Sequence, residues 1–518
     1  MRARLHVRPF AFLALAMAGV AAAALVACAE DAPGGSPDDA DSAAPSVDAS
    51  TVDRRAPDVD GAADGSAAKD AGQDSSTKDS GKDAADAAVI DAGPTTSLFF
   101  LGDFATNNTS QLGNALLPSS SAAPVVITDG VHTAKQVLAF DALADGTKIV
   151  VAADLMVTGR FDIVVANRNG SGAVVIATMS ATAKPSDLLI SPDGTKVAYI
   201  ADADTATAND AYFVPIAGGV APVRVNPRAA ADVALDAQSI AWSRDSKVLA
   251  AAGDFSVDKK NELYLTDTSD AVPTPVAALA ESALPAPAGT GTVGISTALR
   301  PLWTAGGKVC AKADITGVAP ATFRLYCADA TGAGFAEATH FPALPAQLGS
   351  YGLSPDGATL AFTSDTATAG AYEIYTMPSD DSADPARITS GTITVAVATA
   401  FRGPSFNFPL SYSPDGTMIA FAADILVDNR YELYVVAADG ATAEKRVAVV
   451  GPANDDARDV QGLAWAPDSS TLAFIADHRA DNDSELFRIP NVTTADQAPI
   501  LVRSVAASGD IFDLAWRP

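Results

Sequence analysis

The three cysteines are the most pointed chemistry in the chain, and their positions divide them into one and two. Cys28 closes a segment in which Arg2, Arg4 and Arg8 precede an apolar run from Pro9 to Ala27. Leu25-Val26-Ala27-Cys28 reads as a lipobox, where small residues lead to a Cys that is diacylated and becomes the mature N-terminus. A plain secretory signal or an uncleaved membrane helix is the alternative, but neither gives an isolated Cys at the end of an apolar run a reason to be there. Ala29, rather than Asp, follows it and favours the outer membrane. Cys310 and Cys327 sit in the successive strand-like phrases KVCAKAD and LYCAD. If Asp314 faces Phe323 across that hairpin, the two Cys are directly opposite, at a separation that suits a disulfide. Export supplies the oxidising compartment.

Eight aspartates recur at equivalent places: Asp103, Asp154, Asp202, Asp254, Asp314, Asp365, Asp424 and Asp477. They invite a cation reading, strongest at Asp477, Asp481, Asn482 and Asp483, where calcium is the candidate. The competing role is local: an Asp at a strand end accepts hydrogen bonds from the backbone of the loop that follows. His132, His340 and His478 share no ligand spacing with one another or with the cysteines. No G-x-S-x-G occurs. The expectation is therefore no catalytic residue, no metal and no cofactor. One aromatic cluster stands apart, Phe401, Arg402, Phe406 and Phe408 in FRGPSFNFP, and it is the candidate partner surface because aromatic residues with Arg are what interface centres use. Trp242, Trp303, Trp465 and Trp516 share one repeat position, where other copies have Phe140, Ile190, Leu353 and Tyr412, which marks them as packing residues.

Charge narrows the partners. Against 34 basic residues stand 62 acidic ones, a formal net charge of −28, which excludes nucleic-acid binding through clustered Lys and Arg. Residues 29–96 hold 16 Asp/Glu against 5 Lys/Arg and no aromatic residue. A segment of that composition does not bury enough apolar surface to offset its chain entropy, so it is expected to act as a disordered acidic tether. The organisation read from the chain is a signal over 1–28, the tether over 29–96 and a folded domain over 97–518.

That domain repeats itself. LLISPDGTKVAYIAD returns as AWSRDSKVLAAAGD, GLSPDGATLAFTSD, SYSPDGTMIAFAAD and AWAPDSSTLAFIAD, with weaker copies in LAFDALADGTKIVVAAD and LWTAGGKVCAKAD. Each reads as strand, Asp/Gly turn, strand, then a third strand such as ELYLTD or ELYVVA and a fainter fourth. Four antiparallel strands per unit of about 50 residues make a blade of an all-β propeller. Residues 97–128 start on a second strand, and Ile511–Pro518 supply a first strand with no successor, so the two ends are expected to pair and close the ring. The Asp count gives eight blades, with seven as the alternative.

The repeats resemble the TolB-type, WD-like propeller unit, carried by Ser191–Gly194, Ser354–Gly357 and Ser413–Gly416, each followed by Ala and an aromatic residue, and by the ELY phrases. The resemblance covers about four-fifths of the chain and implies a propeller fold; because the unit occurs in import partners, peptidases and many envelope proteins, it implies no one activity. TolB carries an α/β domain ahead of its propeller, where this chain has the tether, so a role in the Tol–Pal system does not follow. The functional expectation is a lipid-anchored, monomeric, non-enzymatic module in the cell envelope, periplasmic or surface-facing, that binds an envelope protein. The alternative is an enzyme or small-ligand binder with polar residues around the central channel. The inner strands read as mainly Ser, Pro, Ala and Trp, which favours the first.

Overall fold

The computed structural model describes residues 96–518, except 105–108, 118–121, 204–207, 228–235, 271, 287–291, 318–320, 339, 341–345, 369–370, 391–409, 424, 427–429, 453–458, 481–482 and 506–508. The described part is built of β-strands, with one 3₁₀ turn at Glu281–Ala283. Six of the sheets are four-stranded and antiparallel, and the fold is a β-propeller. A seventh sheet of nine strands joins two repeat units, so counting units or separate sheets gives eight or seven.

The hairpin phrase explains itself in register. Ser191-Pro192-Asp193-Gly194 is a closed turn: Gly194 N–H donates to the Ser191 carbonyl, the Ser191 hydroxyl donates to Asp193, and Asp193 accepts the Thr195 amide. Central strands such as Lys148–Ala153 bury every residue but the first, because stacked neighbours cover both sheet faces. That is why they read as continuous apolar runs rather than as alternation. The aromatic residues of the second strand and of ELY meet directly across strands: Tyr199 with Tyr212, Phe362 with Tyr375 and Phe421 with Tyr434. Their rings stack at 5.5–5.8 Å.

The tryptophans tie one unit to the next. The indole N–H of Trp242 donates to the Leu189 carbonyl, that of Trp303 to Ala241 and that of Trp465 to Ser411, each on the inner strand of the preceding unit. Trp516 donates instead to the hydroxyl of Thr96. The turn register places Ala142, not Phe140, at this position, because Leu143 opens that hairpin turn as Ser243 opens its own. Phe140 is a core residue two places earlier.

Inner strands touch in sequence: Ile511–Arg517 against Val137–Ala142, then Ser186–Ile190, Ala237–Trp242 and Leu302–Trp303; Leu348–Leu353 continues to Leu410–Tyr412, Val460–Trp465 and back to Ile511–Arg517. The first and last described strands close the ring. Thr96–Gly102 pairs antiparallel with Ile511–Arg517, and Asp103 N–H donates to the Asp510 carbonyl at 2.9 Å. The strand-end aspartates serve mainly the loop that enters their own unit: Asp154 accepts the amides of Lys135 and Gln136, Asp254 that of Asp236 and Asp365 that of Gln347. They therefore cap the segment before the inner strand more often than the loop that follows.

Candidate functional site

The inner strands run close together at their middles. At Gly352 an added Cβ would stand 2.3 Å from the Leu410 carbonyl oxygen of the neighbouring inner strand, so glycine is required there. Four places before the hairpin turn small residues prevail, at Ala139, Ser239, Ser350 and Gly462, and two places before it stand small or apolar ones, Ala241 and Ala464 beside Leu189 and Leu302. Four charged residues depart from this pattern. Asp187, Arg300 and Asp513 stand four places back, and Asp141 two places back.

The backbone makes room for them. The Ser186–Ile190 strand carries a bulge against Lys196–Ala201, and Asp187 sits within it at φ 50°. At Arg300 the disruption is larger. Ile295 pairs with Ala313 and Leu302 with Cys310, so seven steps on the inner strand oppose three on its partner. The upper piece, Val293–Ile295, leans away to pair in parallel with Lys260–Asp267 of the preceding unit. Arg300 lies in the slack, its carbonyl held by the Tyr351 hydroxyl at 2.8 Å. Bulges of this kind re-aim side chains and are frequent beside active sites.

The four residues meet although the chain separates them widely. Nη2 of Arg300 donates to Asp187, and the second Asp187 oxygen accepts the Ile240 amide. Asp141 accepts the amides of Ala142 and Ile190 and, at 3.1 Å, Nη2 of Arg517. Asp513 accepts only the Leu514 amide among the described residues. Arg300, Asp141 and Asp513 are 5%, 6% and 4% exposed, whereas the Asp187 side chain is 20% exposed and forms the open edge. Burial pushes the Asp513 carboxyl well above the usual carboxylate range; Asp141 adds to this, and the Leu514 amide and Arg300 oppose it. Burial likewise lowers the Arg300 guanidinium below its ordinary value, against the pull of Asp141 and Asp513. Arg300 Nε and the Ser239 hydroxyl have no hydrogen-bond partner among the described residues.

Burial biases the Asp513 carboxyl toward its protonated form, and a carboxyl so biased can act as a proton donor. A second perturbed group lies between the units that follow. Lys312 Nζ donates to the Gly349 carbonyl at 2.7 Å and sits 4.6 Å from the Phe323 ring centre, and burial lowers its pKa to about 8.

The residues singled out from sequence fall elsewhere. Cys28, Phe401, Arg402, Phe406, Phe408, Asp481 and Asn482 lie outside the described residues. Asp477 accepts the Asp459 amide, and the Asp483 amide donates to the Ala480 carbonyl. Among the described residues no group of three His, Cys, Asp or Glu is placed to hold a metal ion. Cys310 and Cys327 are paired in register and joined by a disulfide, Cα to Cα 4.1 Å. His132 and His340 meet Asp129 and Asp381, and His478 accepts the Gly451 amide.

No protein family matches the sequence, and no curated protein does. Solved structures of similar fold include an oligogalacturonate lyase in complex with manganese, 14% identical over 77% of this chain and 98% of its own, TM-score 0.46. Dipeptidyl peptidase 4 of Porphyromonas gingivalis is 11% identical over 68% of this chain and 51% of its own, TM-score 0.42. A putative TolB from Agrobacterium tumefaciens is 18% identical over 54% of this chain and 90% of its own, TM-score 0.29. These likenesses bear on the fold alone.

The expectation of a protein that is not an enzyme does not stand. A lyase and a peptidase are among the proteins whose fold it shares. The physical ground for that expectation also fails: the inner strands are not confined to Ser, Pro, Ala and Trp, since Asp141, Asp187, Arg300 and Asp513 converge there.

Proposed function

We propose that this propeller is an enzyme-like or small-ligand-binding protein whose site is the charged cluster where the inner strands meet. The convergence of Asp141, Asp187, Arg300 and Asp513 from four separate segments, at positions where the fold otherwise takes small or apolar residues, carries the reading. In this role Asp513 is the proton donor, Arg300 orients a polar group of the ligand through its unpaired Nε, and Asp187 with Asp141 and Arg517 fixes the frame. The two charge signs side by side suit a polar molecule that both donates and accepts hydrogen bonds. The sequence supports placing it at the cell envelope, anchored through Cys28 by lipid with residues 29–96 as the tether.

Thermal-shift screening of a library of neutral polar metabolites tests the site. At least one compound raises the melting temperature of the protein, and Asp513→Asn and Arg300→Lys, folded by circular dichroism, lose that shift. An equal shift in both variants, or none in the unaltered protein, overturns the reading.

A further inference from the structure

At the turn end of the propeller, a groove of about 540 Å³ runs between the closing sheet and the one that follows it. Asn114 and Leu116 of the Gln111–Leu117 strand form one wall. Thr147 and, from the turn at 167–171, Asn167, Arg168, Asn169 and Ser171 form the other. We infer that this groove, separate from the channel cluster, binds a neutral carbohydrate.

The lining argues the ligand class by what it contains. It has no carboxylate, in a chain with 62 of them, which leaves nothing to attract a cation. It has one cation, Arg168, whose side chain makes no hydrogen bond or ion pair among the described residues. One guanidinium in a chain of net charge −28 does not make an anion site, which needs convergent donors. What remains is a matched set of neutral needs. Asn114 Oδ1 is buried without a partner and requires a donor. Arg168 offers donors without an acceptor. A sugar hydroxyl supplies both. Leu116, 39% exposed, presents an apolar patch for the C–H face of a sugar ring. The far wall is preformed: Asn167 Nδ2 donates to Ser171 Oγ at 3.0 Å, Ser171 Oγ donates to Asn169 Oδ1 at 2.7 Å, and the Arg168 amide is tied to the Thr147 carbonyl. Preformed walls reduce the entropy cost of binding. The volume is within the range of small-molecule sites, about 300–1,000 Å³.

Saturation-transfer difference NMR on the full chain tests this with maltotriose and N,N′,N″-triacetylchitotriose as neutral probes and glucuronate as a charged one. Transfer to at least one trisaccharide is expected, with affinity at least about tenfold weaker in Arg168→Ala and Asn114→Leu. Arg168 is exposed, so its replacement leaves the fold intact even if the Asn114 variant does not fold. Transfer to neither trisaccharide, transfer to glucuronate alone, or unchanged affinity in Arg168→Ala overturns the inference.

Discussion

Arg300 and Asp187, 113 residues apart in the chain, form an ion pair, buried at Arg300 and open at Asp187, on the inner strands of two different units. Each takes a position that Ala139, Ser239, Ser350 and Gly462 fill in other units, and each is accommodated by extra inner-strand residues, one at Asp187 and four at Arg300. A fold that otherwise repeats has departed from its repeat where the charge is.

Removing one member of such a pair leaves an uncompensated buried charge. Arg300→Met is expected to lower stability by about 3–5 kcal/mol in urea unfolding, and Arg300→Lys by less. A loss below about 1 kcal/mol for Arg300→Met would mean that Asp187 and Asp141 find countercharge elsewhere.

Asp513 gives a pH signature. Its carboxyl holds a proton more tightly folded than unfolded, so its contribution to stability is complete below the unfolded value, about 4, and is lost as pH rises through the folded value. Turn aspartates such as Asp245, Asp356 and Asp415 act oppositely: hydrogen bonds from Ser243, Ser354 and Ser413 hold them below their ordinary value, and their contribution is lost as pH falls below about 4. Asp513→Asn, which mimics the neutral acid, should therefore flatten the decline of stability as pH rises above about 4 and leave the acid limb alone. An unchanged decline contradicts the assignment.

The tryptophan link between units is separable from its bulk. Trp303→Phe keeps an aromatic ring but leaves the Ala241 carbonyl unpaired, at an expected cost of about 1–2 kcal/mol, whereas Trp303→Ala should cost about 3–5 kcal/mol. Calorimetry of the two variants distinguishes them.

Cys310 and Cys327 close a loop of 17 residues in separation, for which the chain-entropy account gives about 3 kcal/mol. Thiol labelling of the non-reduced protein should find neither, and Cys310→Ser with Cys327→Ser should melt earlier.

The repeat was open to sequence reading because its chemistry is local. Ser-Pro-Asp-Gly makes its own turn, and the aromatic residues of paired strands stand directly opposite. Ring closure was readable from unmatched strands at the two ends, and the structure pairs Thr96–Gly102 with Ile511–Arg517. The charged cluster was not. Inner strands carry bulges, which shift alignment by eye and put Phe140 where Ala142 belongs. Arg300 follows a long connection that reads as loop, and Asp141, Asp187 and Asp513 each look like an ordinary turn-former until the hairpin turns fix a common register. Their meeting is a property of the ring, not of any one repeat.

The most direct measurement is a crystal structure of the protein with a compound retained in the thermal-shift screen. The account predicts ligand density within hydrogen-bond distance of Arg300 Nε and the Asp513 carboxyl, entering past Asp187. Density confined to other surfaces, with the cluster unchanged and no ligand atom near Arg300, would contradict it.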